Sequence, residues 1–315
     1  MTGFAGNRGG KPMLRTCLKL YGTAFFWGGT FVAGRLLGGA VPPVTAAFWR
    51  FVIASVLLVA VIFRFEGGLP RLSFRQALAV LALGATGIFA YNLCFFAGLT
   101  HIGAGRASLI IALNPVVIGV ASVLVLGERM TRLRLLGTFL ALAGALVVIS
   151  RGRMAELVSG GVGAGELLIL GCVLSWTLYS LIGRQSMCGL SPLAAVTWSA
   201  LAGTLLLAVI ALPQGGFGAA LTLGVKSWLA IGYLGVFGTV VGFLWYFQGI
   251  QAIGPARAAV FINFVPVNGV ILATLILDEP LSLSLLAGGL LVLVGAWLAM
   301  APPRRVVRPE AVHDS

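Results

Sequence analysis

Ten apolar stretches, each about as long as a lipid bilayer is thick, occupy nearly the whole chain between residues 20 and 301. They cover 20–39, 43–64, 76–98, 105–126, 132–150, 165–184, 192–213, 227–249, 256–277 and 282–301. A hydrocarbon core takes about 20 residues of helix to cross, so each stretch reads as a transmembrane helix. The connections between them are short, and nothing is left over for a soluble domain. The charge content agrees: only 9% of residues are charged, whereas a soluble domain needs about a quarter. The expected fold class is an all-α membrane protein of ten transmembrane helices.

The formal charge of +13 does not point to nucleic acid. Basic residues stand singly or in twos and threes between apolar runs and make no phosphate-tracking stripe. They read instead as topology signals that hold loops on the cytoplasmic side. With both termini in the cytoplasm, only Arg35, Arg50, Arg106, Arg151, Arg153 and Lys226 of the 21 basic residues fall outside or in the outer half. The basic residues before Leu20 resemble the start of a signal peptide, but a second span follows at once, so an uncleaved first helix is expected. Cys17, Cys94, Cys172 and Cys188 lack metal-ligand spacing, and His101 and His313 are far apart. No metal, cofactor or catalytic set is expected.

The chain repeats itself. A shift of 149 positions lays Trp27, Gly34, Arg35, Pro43 and Trp49 on Trp176, Gly183, Arg184, Pro192 and Trp198. From Leu83 onward the shift is 151, and Gly84, Gly87, Arg106, Pro115, Glu128, Gly137 and Gly144 fall on Gly235, Gly238, Arg257, Pro266, Glu279, Gly288 and Gly295. Chance does not align two Trp, two Arg, two Pro and a Glu without gaps. The chain therefore divides into a tail (1–19), a first five-helix repeat (20–150), a linker (151–164), a second repeat (165–301) and a C-terminal tail (302–315). Five is odd, so the second half must be inverted relative to the first. Two inverted five-helix repeats are an architecture of secondary transporters, with the substrate site near the midplane between halves.

Particular side chains become candidates by their depth. Trp27 is about 12 Å beyond Lys19, and Trp176 about 15 Å beyond Glu166, at 1.5 Å per helical residue. Indoles usually sit at the membrane interface, so these two read as cavity-lining, with Thr30 and Phe31, and Tyr179 and Ser180, on the same faces; the competing reading is interhelical core. Asn114 and Asn263 are deep amides near Pro115 and Pro266, and those prolines free the carbonyls of Ile111 and Ile262. They read either as ligands for an ammonium group or as interhelical hydrogen bonds. Tyr91 and Asn92 are further candidates. Arg35, Arg184, Arg106 and Arg257 read as snorkelling cations, with carboxylate collars as the alternative. Arg50, about 10 Å into its span, is the costliest cation and should have a protein partner. Glu128 and Glu279 precede Thr131 and Ser282, the expected N-caps of the fifth and tenth helices, and read as structural charges stabilised by those helix dipoles. The glycines read as packing. No acidic residue lies at mid-span, so coupling through a membrane carboxyl is not supported.

Several segments together carry a resemblance: Trp27-Gly28-Gly29-Thr30-Phe31, Arg50, Asn114-Pro115-Val116, Gly127–Thr131, Asp278–Leu281 and the Gly137/Gly144 helix with its copy. The chain resembles the drug/metabolite transporter superfamily, specifically its ten-helix EamA-type members, across roughly residues 20 to 301. That resemblance implies a bacterial inner-membrane carrier that exports or exchanges small metabolites, amino acids first. A phosphorylated or nucleotide-linked sugar is the alternative cargo. A membrane-embedded enzyme is the rival from another class, and it lacks a Gly-x-Ser-x-Gly elbow or an acid partner for His101. The expected partners are a small-molecule substrate and the lipid bilayer. Both repeats share one chain, so a monomer is possible.

Overall fold

The structure is a computed structural model, and it describes residues 10–127, 131–150, 162–186, 189–253, 258 and 261–299. Glu128, Arg257, the side chain of Arg184, most of the linker and both outer tails lie outside the described residues. Every regular element among those described is a helix.

Helix α1 (Gly10–Leu37) and α2 (Pro43–Glu66) open the chain. Helix α3 (Phe74–His101) follows and contains a π-helical stretch at Gly84–Ala90. The fourth span is broken into α4 (Ala104–Ile111) and α5 (Asn114–Leu126), and α6 (Arg132–Ile149) ends the first half. The second half holds α7 (Ala164–Ser186), α8 (Pro192–Ala211) and a short α9 (Gly216–Leu221). Helix α10 runs from Val225–Gly235 through a π-helical stretch at Val236–Val241 into Gly242–Ile253, and α11 (Phe264–Leu277) and α12 (Leu283–Ala299) finish it. Seven of these helical rods are long and apolar enough to cross a membrane, and α11 and α12 are shorter apolar helices.

Local chemistry explains the boundaries. Ser73 caps α3 in a capping box with Gln76, and Ser191 caps α8 just before Pro192, a residue whose missing N–H costs nothing in a first turn. Thr131 accepts from the Arg134 amide and Ser282 from that of Leu285, so both expected N-caps are in place. Helix α5 ends at Gly127 with φ +66°, and α11 ends at Asp278 with φ +53°. These two are repeat equivalents; a left-handed C-cap needs glycine or a short polar residue whose side chain tolerates the conformation. Helix α1 differs from expectation, starting at Gly10 rather than with the apolar run. Its basic first turns continue the helix, and Lys19 Nζ donates to Gln248 Oε1 of α10 at 2.6 Å.

The halves pack antiparallel. Gly137 of α6 faces Gly295 of α12, and Gly144 faces Gly288; a Cβ on Gly137 would lie 2.6 Å from the Gly295 carbonyl, and one on Gly144 2.6 Å from that of Gly288. Rising numbers on one helix meet falling numbers on the other, so two equivalent helices run in opposite directions. Only glycine permits this approach, which is how membrane helices gain contact where lipid offers no hydrophobic drive. The same exchange holds throughout. Trp49 Nε1 donates to Gly216 O just beyond α8, and its equivalent Trp198 donates to Pro70 O just beyond α2. Ser55 and its equivalent Thr204 hydrogen-bond each other at 2.9 Å, which places that pair on the pseudo-twofold axis. Helix α1 packs on α10 and α11 as α7 packs on α3 and on α4 and α5.

Candidate functional site

The two π-helical stretches are repeat equivalents and lie near the middle of α3 and α10. Such π-helical turns inside α-helices frequently occur at functional sites. Three side chains bond to carbonyls in or beside the two stretches. Asn92 Nδ2 donates to Ile88 O at 2.7 Å, Thr239 Oγ1 to Leu234 O at 3.0 Å, and Trp27 Nε1 to Gly238 O at 3.0 Å.

Arg50 of α2 joins the two stretches. Its Nη1 donates to Asn92 Oδ1 at 2.9 Å, its Nη2 reaches Thr239 Oγ1 at 3.4 Å, and its Nε is buried with no hydrogen-bond partner. Only 8% of the residue is exposed, and its guanidinium carbon lies 5.1 Å from the centre of the Phe51 ring. Burying an ion costs several kcal/mol. A good hydrogen bond to a charged group returns about 1.5–3 kcal/mol, and only the Asn92 bond has good geometry, so the cation is under-compensated by its neighbours.

Aromatic rings flank this centre on both sides. Tyr91 packs against Trp176 at 5.8 Å between ring centres and against Phe95 at 6.0 Å, and Trp176 stacks on Tyr179 at 5.1 Å. Across the bundle, Trp27 meets Phe243 at 5.5 Å and Tyr246 at 5.6 Å. Phe31, 5.4 Å from Phe95, links the α1 rings to those of α3.

One end of the bundle is tied shut by polar contacts. Glu279 accepts from the backbone N–H of Ala104 at 2.7 Å and of Gly105 at 3.0 Å. Arg106 pairs with Glu166 at 3.2 Å. Arg35 donates to the carbonyl of Leu99 near the end of α3.

The family model for EamA-like transporters matches residues 14–150 and again 163–301. The chain belongs to the EamA-like transporter family. It is thus a membrane transporter of the drug/metabolite transporter superfamily, with one EamA domain in each half. It is similar to the uncharacterized transporter YyaM of Bacillus subtilis, 29% identical over 91% of this chain and 93% of that one. It is also similar to the uncharacterized inner membrane transporter YedA of Escherichia coli, 29% identical over 94% and 96% of the two chains. One crystal structure of a protein shares the fold, with a TM-score of 0.62 at 22% identity over 90% of this chain and 96% of that chain.

Within this EamA transporter, Trp27, Thr30, Tyr91, Asn92, Trp176 and Tyr179 all lie on α1, α3 and α7 around the two π-helical stretches. Thr30 and Asn92 are largely spoken for. The Thr30 hydroxyl bonds Trp27 O within its own helix at 2.6 Å, and Asn92, 1% exposed, has both ends of its amide engaged. Asn114 begins α5 beyond the break at residues 112 and 113, with its Oδ1 buried and unpartnered. Asn263 precedes α11 at the equivalent break and caps nothing with its side chain.

Two expectations need correction. Glu279 stabilises the N-terminus of α4 rather than that of its own following helix, because the turn after Asp278 aims it across the pseudo-twofold axis. Arg106 and Arg35 are not free to snorkel, since a carboxylate and a helix-terminal carbonyl lie within reach.

Sequence reasoning also missed Thr239, Glu166 and Asn268. Asn268 is 5% exposed, accepts from the Tyr21 hydroxyl at 3.3 Å, and leaves its Nδ2 without a partner. Its position two residues after Pro266, deep in an apolar span, was the available signal. Thr239 is a single threonine in a glycine-spaced helix, and only the π-turn gives it a role.

Proposed function

We propose that the protein is a secondary carrier that exports or exchanges small metabolites, amino acids first, across a bacterial inner membrane by alternating access. Both termini would then lie in the cytoplasm. The observation that carries this reading is the pairing of two antiparallel halves, each with a π-helical stretch at the equivalent place, with tryptophan and tyrosine rings grouped around those stretches. Packed inverted copies have two near-equivalent arrangements, one open to each side. Pockets lined by aromatics with a few polar groups suit small amphipathic ligands, and Trp27, Tyr91, Trp176 and Tyr179 are the residues proposed to line the path. A sugar phosphate is the weaker reading, because Arg35 and Arg106 are engaged within the protein.

Proteoliposomes preloaded with one amino acid and presented with its labelled form test the proposal. Counterflow that saturates is expected of a carrier. Uptake of a sugar phosphate with no amino-acid flux would overturn the substrate class, and flux that never saturates would overturn the carrier. For topology, a cysteine placed near Arg153 should react with an impermeant thiol reagent from outside, and one near Arg132 only after the membrane is opened.

A further inference from the structure

We propose that Arg50 is the carboxylate-binding group of the substrate site, taking the carboxylate of the carried metabolite on its Nε/Nη2 edge. This inference rests on the carrier reading above.

The first argument is charge. Four acidic residues are described, and each stands at a helix end. Glu66 accepts from the Ser191 hydroxyl, Glu166 pairs with Arg106, Glu279 holds the amides of α4, and Asp278 is exposed at the end of α11. Among the described residues, therefore, no carboxylate reaches the buried guanidinium. A buried charge with only neutral partners needs an anion to complete it.

The second argument is geometry. Asn92 takes Nη1, and Asn92 is itself pinned through its own N–H to Ile88 O. The guanidinium plane is thereby held on one side. On the other side Nε has no partner, and Nη2 has only the 3.4 Å contact to Thr239. The N–H bonds of Nε and Nη2 are parallel and spaced to grip both oxygens of one carboxylate. Thr239 is on α10, so a movement of α10 away from α2 would free Nη2. Asn92, the Nη1 partner, directly follows Tyr91 on α3, and Tyr91 packs on Trp176 and Phe95, so the aromatic array adjoins the residue that holds the guanidinium.

The third argument is symmetry. Packing in this protein obeys the pseudo-twofold axis: Gly137 and Gly288, Trp49 and Trp198, Ser55 and Thr204 all have matched roles. Arg50, Asn92 and Thr239 break it together, their repeat equivalents being Ser199, Phe243 and Ile88. Three interacting residues that exist in one copy only serve something that itself has no twofold symmetry. A metabolite with a single carboxylate end is such an object.

The test uses purified full-length protein in detergent and a thermal-shift titration. The probes are L-alanine, L-leucine, L-threonine and L-phenylalanine, each beside its carboxamide and its 2-oxo acid. The expected result is stabilisation by acids and 2-oxo acids, with carboxamides weaker by about tenfold or more, the scale of losing a charge-assisted bond. Arg50→Gln should abolish that discrimination, and Arg50→Lys should keep part of it, because a point charge lacks the fork. Thr239→Val removes the competitor for Nη2 and should tighten acids relative to carboxamides, which a purely structural Arg50 would not do; this variant keeps the proposal testable if Arg50→Gln fails to fold. Carboxamides that bind as well as acids, an unchanged acid preference in Arg50→Gln, an unchanged acid-to-carboxamide ratio in Thr239→Val, or a shift produced by sodium chloride alone would each overturn the assignment. Binding of 2-oxo acids without amino acids would leave Arg50 in place and remove the amino-acid reading. If none of the acids binds, both fall.

Discussion

Neutralising Glu279 should loosen one end of the bundle while leaving the rest intact. Its carboxylate holds the first two amides of α4, at 2.7 and 3.0 Å, and such helix-start amides have no partner within their own helix. Each bond to a charged acceptor is worth about 1.5–3 kcal/mol, and a partly exposed side chain belongs at the lower end. Glu279→Ala should then cost about 3 kcal/mol locally. Glu279→Gln keeps one acceptor oxygen but presents an amide N–H to the second donor, so it should cost about 2 kcal/mol. At 1.36 kcal/mol per decade these correspond to about 150-fold and about 30-fold faster opening. Hydrogen exchange of a peptide covering residues 103–109 reads those factors directly, with a peptide from α12 as the reference. Gly103→Ala should reproduce the effect, since its Cβ would lie 2.7 Å from Glu279 Oε2. A change under about threefold at 103–109 would refute the clamp, and equal acceleration in α12 would show global destabilisation instead.

Gly137→Ala should lower stability in detergent melting by about 1–3 kcal/mol, because its Cβ would lie 2.6 Å from the Gly295 carbonyl; an unchanged melting temperature would refute the close approach of α6 and α12. Trp49→Phe and Trp198→Phe each lose one indole hydrogen bond to a carbonyl of the other half, so each should cost about 1 kcal/mol in detergent melting; markedly unequal costs would count against reciprocal packing. Trp176→Ala should fold and lose flux if the indole touches substrate; a fall in stability of about 3–5 kcal/mol, with flux per folded molecule unchanged, would assign it to the core.

The ten spans, the repeat and its inversion were legible in the chain because each is written in local or periodic terms. An apolar run long enough for a bilayer forces a helix, and five short-looped crossings force the copy upside down. The N-caps at Thr131 and Ser282 were legible for the same reason, since a cap lies three residues from the amide it serves. The places of Trp27, Trp176 and Arg50 along their helices followed from the helical rise alone. What the chain did not announce were contacts whose partners are far apart in number and near only across the pseudo-twofold axis. Glu279 could be seen beside a helix start, but not that the amides it holds belong to Ala104 and Gly105, 175 and 174 positions away. Arg50 could be seen to need a partner, but Asn92 and Thr239 were found only where two π-turns bring α3 and α10 against α2. A π-turn depends on how neighbouring helices press on a glycine-rich stretch, and hydrophobic periodicity carries no trace of it. Composition and spacing thus decide how the chain meets the membrane, and the packing of one half on the other decides which charges, amides and rings share a site.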